Sequence, residues 1–590
     1  VNAGVAAVAV APAKPAAPSN LLAELLAGRA VRAVLIVLVG LWLTVTVALP
    51  LANLLSKSLY DPQGGFIGLG NFLRFFTEPA LFSSLSHSLW VSTVTTLVAV
   101  PLGFVFAYGL CRTHIPGKAV FRALALSPLF APTLMHGIVL VYLFGRKGLI
   151  TTGFFGHTMG FDINLYGHVG IIIAEALYAF PPCFLILSTA LSLTDARLYE
   201  AAASLGASRL RIFRTVTLPG VKYGLMSAVF ISFVSSFTDF GAPKVVGGSY
   251  NVLATDIYKH VIGQQNFVMG ATVSVVLLIP TALAFLADYL IQRRQASGLA
   301  AKAVPYQPRP NNARDLLAFA ACGAISACFV IYLAIGLYAS LVDVWPYKLG
   351  LVLRHFDFTT AGGGGYAAYY NSLRMSAYSA VFGVGVAFFT AYVIEKFKEY
   401  PKLRQTCAAL SLLPMALPGL VIGLAYIFYF NAPGFTVLGF FVPNPLHFLY
   451  ASMGILVISN LIYFHTVSFL TARTALKQLD REYEAVSDSL GVPFTRLLRK
   501  VTLPVSLPAV LEIGYYFFVR SMTTLSAVIF LYSADLPLAS VAVANMDDAG
   551  DTAAALAMCV LIVATNLVVR LLYGACTSGL RRRARVWTNR

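Results

Sequence analysis

Long apolar runs decide what this chain can fold into. They lie at about 33–54, 88–110, 120–145, 168–192, 221–243 and 268–292. A second set lies at about 315–342, 372–394, 406–430, 450–471, 506–532 and 552–575. A helix needs about 20 such residues to cross the hydrocarbon core of a bilayer. In lipid every backbone polar group must be satisfied within the segment, so runs of this kind become helices. A water-soluble alternative fails on composition. Only 11% of the 590 residues are charged and 58% are hydrophobic, against about 25% charged in a soluble domain. The expectation is an all-α polytopic membrane protein of about twelve spans.

The net charge of +18, from 42 Lys and Arg against 24 Asp and Glu, would point to nucleic acid in a soluble protein. Here the basic residues gather in alternate loops, including Arg209, Arg211, Arg214, Arg496, Arg499, Lys500 and the tail at 581–590. That bias places those loops and both ends of the chain in the cytoplasm, so the charge reports orientation, and nucleic acid is not an expected partner. The Ala/Pro-rich start, residues 1–30, lacks the charged region and cleavage site of a signal peptide and reads as a disordered cytoplasmic leader. The seven cysteines include no CxxC pair, so neither a disulfide framework nor a zinc site is indicated.

The two sets of runs repeat one another. Glu200–Pro219 reads EAAASLGASRLRIFRTVTLP and Ala485–Pro504 reads AVSDSLGVPFTRLLRKVTLP. Leu205/Leu490, Gly206/Gly491 and Pro219/Pro504 share one displacement. To within a residue it also relates Ala107-Tyr108 to Ala391-Tyr392, and Pro128, Pro132 and Gly137 to Pro414, Pro418 and Gly423. Two six-helix units of equal orientation form a parallel repeat about an axis along the membrane normal. The expected organisation is a first repeat at 31–293, a polar, proline-bearing cytoplasmic linker at 294–314, a second repeat at 315–580 and the basic tail. Within the spans, Pro128/Pro132, Pro414/Pro418 and Pro181-Pro182 predict kinks.

The matched segments at 195–219 and 480–504 lie between the fourth and fifth spans of each half. In the first, Glu200, Ala201, Ala202, Gly206, Leu218 and Pro219 fit the pattern E-A-A-x3-G-x11-L-P. This resembles the EAA loop of the inner-membrane permeases of binding-protein-dependent (type I) ABC importers. The fused double arrangement is similar to 2-aminoethylphosphonate and ferric-iron permeases. The resemblance implies that each loop seats in an ATPase subunit, with Glu200, Ala201, Ala202, Leu205, Gly206 and Pro219 in the first and Glu484, Ala485, Leu490, Gly491 and Pro504 in the second. It further implies an ATPase dimer as partner, a periplasmic binding protein that delivers the solute, and residence in a bacterial inner membrane. The residues themselves agree with docking. Leu198, Ala202, Leu205 and Arg209 recur at helical spacing, the glycines permit a turn that a Cβ resists, and the prolines suit the start of the next helix. The second loop departs from the pattern. Ala485 stands where the glutamate is expected and Glu484 aligns with Tyr199, which turns the carboxylate by about 100° on a helix and makes the two contacts unequal.

No GxxxxGK[ST] loop occurs, so ATP and its magnesium are assigned to the partner; no cofactor, metal site or catalytic residue is expected in this chain. Ionisable groups within spans cost roughly 2.5–3.5 kcal/mol on insertion scales and mark functional candidates. Asp239 and Arg520 lie in the two fifth spans, and Arg520 corresponds to Ser235. They read either as opposite walls of a zwitterion site, with Ser235 and Thr524 beside them, or as a structural ion pair or gate. Glu175 and Asn460 are a matched pair in the fourth spans, where helix-to-helix hydrogen bonding is the favoured role over transport. His136 and His465 read as packed histidines. The FTDFGAPKVVGG stretch, Phe237–Gly248, is most similar to 2-aminoethylphosphonate permeases, with ferric iron next and polyamine or thiamine behind. A secondary transporter of the major-facilitator type is the alternative class.

Overall fold

The computed structural model describes residues 18–296, 304, 306–359, 364–437, 440–480 and 482–588. The remainder of the leader and linker, the glycines at 362–363 and the last tail residues lie outside this set. Among the described residues the fold is helical, apart from two short antiparallel hairpins at Val342–Val344/Lys348–Leu351 and Gly434–Val437/Phe440–Pro443. Among the described residues, eight helices are long and apolar enough to cross a membrane, and four bent pairs, each counted as one span, bring the number to as many as twelve. Each expected run coincides with one of them. The first span, Ala30–Lys57, continues a helix that already begins at Pro18, inside the segment expected as leader.

Proline explains some breaks and not others. The third span of each half is bent at the matched prolines, by 103° between Lys118–Phe130 and Thr133–Phe144 and by 115° between Pro401–Ala416 and Gly419–Phe430. At each elbow a 3-10 turn, Ser127–Phe130 or Leu413–Ala416, replaces the α-helix. Pro181-Pro182 do not act this way, because His168–Ser192 remains one helix. Its counterpart in the second half has no proline at the equivalent place, yet bends by 57° between Met453–Tyr463 and His465–Lys477. The residue at that bend is Phe464, whose ring packs on Tyr463, Tyr516 and the Arg520 guanidinium. Side-chain packing, not a missing amide, sets that kink.

Pro219 and Pro504 also differ from expectation. The fifth spans start earlier, at Arg209 and Phe494, and a π-helical turn precedes each proline, at Phe213–Thr217 and Leu498–Thr502. The wider turn absorbs the missing donor. In the second half the span then bends by 74° at the Val505/Leu507 break, beside Pro508. Both fifth spans end sooner than the apolar runs, at Thr238 and Thr523, because the next residues, Asp239 and Thr524, are extended (φ −71°, ψ 142° and φ −69°, ψ 136°).

The halves exchange their first helices. Asn53 on the first span donates to the Phe428 carbonyl (2.8 Å), and Tyr426 donates back to Thr46 (2.8 Å). The seventh span, Asn312–Leu341, packs on the first half, where Tyr332 stacks on His136 at 5.2 Å. The elbows are capped across the same boundary. Asn566 of the last span donates to the Phe130 carbonyl (2.9 Å), and Thr281 of the sixth donates to the matching Ala416 carbonyl (3.1 Å). Close approach is also matched, with the glycine changing sides. A methyl group on Gly241 would meet Thr133 and the Leu134 backbone, and one on Gly419 would meet Ser526 and the Ala527 backbone.

Asn566 is fully buried. Its replacement by leucine strands the Phe130 carbonyl, at a cost of about 1–3 kcal/mol. We expect Asn566→Leu to lower the thermal unfolding midpoint in detergent by several degrees. Thr281→Val should do less, since Thr281 also bonds carbonyls of its own helix. Equal midpoints for Asn566→Leu and wild type would show that the cap carries no stability.

Candidate functional site

The matched loops fold as helix, turn, helix. In the first, Asp195 caps Ala196–Ser204 by accepting from the Arg197 amide. The helix ends in a turn where Ala207 N–H bonds the Ala202 carbonyl (3.0 Å) and Gly206 N–H the Ala203 carbonyl (3.0 Å). This is a Schellman turn, which requires a left-handed residue after the cap. Gly206 (φ +70°) provides it, as does Gly491 (φ +64°) after Glu482–Ser489, where Val492 N–H bonds the Ser487 carbonyl (2.9 Å). Nothing lies within 4 Å of where a Cβ would stand at either glycine, so backbone conformation alone demands them. Ala201 and Ala202 contribute carbonyls to the first turn. Leu205 and Leu490, one residue before the glycines, are 87% and 71% exposed, while Glu200 and Ala485 also face outward.

Each loop helix is tied to the end of its half's second span by different chemistry at equivalent positions. In the first half, the Arg112 guanidinium lies 4.9 Å from the Tyr199 ring centre, and Tyr199 donates to Thr217 (3.2 Å). In the second, Lys396 forms an ion pair with Glu484 at 2.6 Å. Glu484 therefore points inward as an anchor, taking the place of Tyr199 rather than that of the outward Glu200.

A chamber of about 40 Å³ lies between the halves, where the ends of the fifth spans meet the fourth. That volume holds about three water molecules. Its walls carry matched pairs: Tyr178/Tyr463, Thr238/Thr523, Ser235/Arg520, Asp239/Thr524 and Gly241/Ser526. The chamber is thus built by both repeats around their common axis, and Asp239 and Arg520 are the two positions at which a charge breaks the pairing. No ion pair joins them. Arg520 donates to the Tyr178 hydroxyl of the other half (3.3 Å) and sits 5.5 Å from the Phe464 ring centre. Asp239 lies outside the helix proper and accepts from the Ala242 amide (3.0 Å), capping the next short helix. Two residues beyond that amide, Lys244 reaches across to the second half and donates to both Asp548 oxygens at 2.8 Å.

Of the sequence-selected residues, Asp239, Arg520, Ser235 and Thr524 come together in the chamber. Glu175 is fully buried beside Asp239. Asn460 is fully buried too, but neither amide atom of its side chain has a hydrogen-bond partner, so the expected helix-to-helix bond is not made. His136 is packed, with Nδ1 3.2 Å from the Pro132 carbonyl, and His465 stacks on Phe469. Sequence reasoning missed Tyr178, Tyr463, Thr133, Phe464 and the Thr238/Thr523 pair. Tyr178/Tyr463 and Thr238/Thr523 are related by the repeat displacement, so residue identity at matched positions in the fourth and fifth spans was the available signal.

The family described as the inner membrane component of binding-protein-dependent transport systems matches the chain twice, over residues 99–296 and 383–582. Among individual relatives, a putative ferric transport system permease protein, FbpB 1, of Haemophilus influenzae is 28% identical over 78% of this chain and 72% of its own length. A Fe(3+)-transport system permease protein, FbpB 2, of the same organism is 25% identical over 90% of this chain and 97% of its own. The molybdenum transport system permease protein ModB of Escherichia coli is 35% identical over 28% of this chain and 71% of its own.

Proposed function

The chain belongs to the family of inner-membrane components of binding-protein-dependent transport systems, and from that premise we propose that it forms the whole translocation pathway of an ATP-driven importer of ferric iron. The observation that carries this reading is the axial chamber lined by matched residues of both halves. A single chain supplies both walls, and the pathway runs between them. The family assignment removes the major-facilitator alternative.

With no phosphate-binding loop of its own, the chain receives work from a separate ATPase dimer, which binds ATP and magnesium. The seats are the matched loops, whose exposed Leu205 and Leu490 gain a cover on docking. Their basic flanks support a cytoplasmic position for them. A periplasmic binding protein delivers cargo at the opposite end, where the Lys244–Asp548 pair holds the halves together. Closure of the ATPase dimer moves the loop helices. The fifth spans follow through the π-turns, the chamber opens, and the outer ion pair parts.

Relatives covering 78–90% of the chain carry ferric transport in their names, which favours iron over 2-aminoethylphosphonate. The chamber adds a chemical argument. Tyr178 and Tyr463 supplement the Asp239 carboxylate with phenol oxygens, a donor type suited to a hard trivalent ion, and Arg520 suits an accompanying oxyanion. The test is ATP-dependent uptake into vesicles carrying the chain with its ATPase and binding protein. We expect labelled ferric iron to accumulate and 2-aminoethylphosphonate not to. Accumulation of the phosphonate alone would overturn the iron reading.

A further inference from the structure

We infer that the segment joining the two halves is a working part of the first coupling loop, with Tyr306 as its positioning residue; this rests on reading that loop as an ATPase seat. The sequence reads 294–314 as a polar connector, yet Val304 and Tyr306 within it are docked on the loop helix. The Ala196 amide, first in the loop helix, donates to the Val304 carbonyl at 2.9 Å. The Val304 amide donates to Asp195 Oδ1 at 3.3 Å, the same oxygen that caps the helix through Arg197 N–H (3.1 Å). Val304 therefore lies at the start of Ala196–Ser204 and satisfies one of the helix's free amides, which otherwise needs water or a cap.

Tyr306 completes the attachment. Its ring centre lies 4.4 Å from the Arg112 guanidinium carbon and 4.8 Å from the Tyr199 ring. Arg112 is 3% exposed and is held in turn by the Leu191 carbonyl (2.8 Å) and the Thr194 hydroxyl at the end of the fourth span. One guanidinium thus joins the second span, the fourth span, the loop helix and the linker. A cation seated over two adjoining aromatic rings is favourable and needs no hydroxyl from either ring.

At the equivalent positions of the second half, Lys396 and Glu484 form an ion pair, an anchor with no aromatic pair beside the cation among the described residues. The first seat is therefore the stiffer one, and a push from the ATPase on it is delivered to the second and fourth spans together.

The test begins with hydrogen–deuterium exchange on the full chain in lipid nanodiscs. Tyr306→Ala should raise exchange across residues 196–204 at least fivefold and leave 482–489 unchanged, while Tyr306→Phe should match wild type. In vesicles carrying the complete transporter, Tyr306→Ala should lower solute moved per ATP hydrolysed about fivefold, and Tyr306→Phe should restore it. Unchanged exchange at 196–204, equal loosening of both loop helices, or a phenylalanine variant that behaves like alanine would overturn the inference. So would loosened exchange with an unaltered transport-to-hydrolysis ratio. If the wild-type chain recruits no ATPase, the seat reading itself fails; the exchange arm, read without any partner, tells that failure apart from failure of the strap.

Discussion

Arg520→Gln is expected to reduce transport about a hundredfold or more while the chain still inserts in the membrane. The guanidinium is the cation of a chamber that also holds Asp239, with Glu175 buried beside that carboxylate. It is anchored across the repeat boundary by Tyr178 and rests on Phe464. The two charges face one chamber without touching, and removing the cation leaves a buried carboxylate with no counter-charge in that chamber, at a cost of about 3–5 kcal/mol. A loss of that size displaces the balance between conformations by two orders of magnitude or more. Asp239→Asn should also impair uptake. The double variant, which removes both charges, should recover part of the loss, so the two effects should be non-additive. Uptake into vesicles by the four proteins of this cycle is the measurement. Additive losses would show that the two charges act independently, and unchanged uptake by Arg520→Gln would remove the chamber from the mechanism.

The second large effect is expected at the loop glycines. Gly206 and Gly491 hold φ of +70° and +64° in open space, so a substitution there acts on the backbone and collides with nothing. A residue with a Cβ costs roughly 1–2 kcal/mol in the left-handed region, and a β-branched one is a stronger outlier. Valine should therefore relax each Schellman turn to another conformation and swing Leu205 or Leu490 away from its outward position. We expect Gly206→Val and Gly491→Val each to lower ATP-driven uptake at least tenfold, and the double variant to lose co-purification of the ATPase. Asparagine tolerates this region better and should retain most of the activity. Thermal stability should hardly change, since the turns are exposed. Valine variants that transport normally would show that the turn geometry is not used in coupling.

Different parts of this molecule were unequally legible in its sequence. The spans could be read from apolar runs because the bilayer imposes a length and a composition on each one. The elbows at Pro128/Pro132 and Pro414/Pro418 could be read because proline removes a donor wherever it stands. Pro181-Pro182 carry the same local signal and yield a continuous helix, while the fourth span of the other half bends at Phe464, where ring packing decides the path. The partner of Glu484 was hidden for a related reason. Its distance from the loop pattern is a sequence fact, but its partner, Lys396, comes from the end of another span.

The amino-acid sequence determined the solvent, the number of spans, the duplication and the loop turns, because each rests on local chemistry: hydrophobic length, proline, and a left-handed glycine at a repeated position. Tertiary structure decided which residues share a chamber, which carbonyls cap across the halves and where the linker lies. Arg520 meets Tyr178, Asn566 meets Phe130 and Tyr306 meets Arg112 only after spans far apart in the chain have packed. The energy of such contacts depends on distance in space, and the order of residues along the chain does not encode it directly.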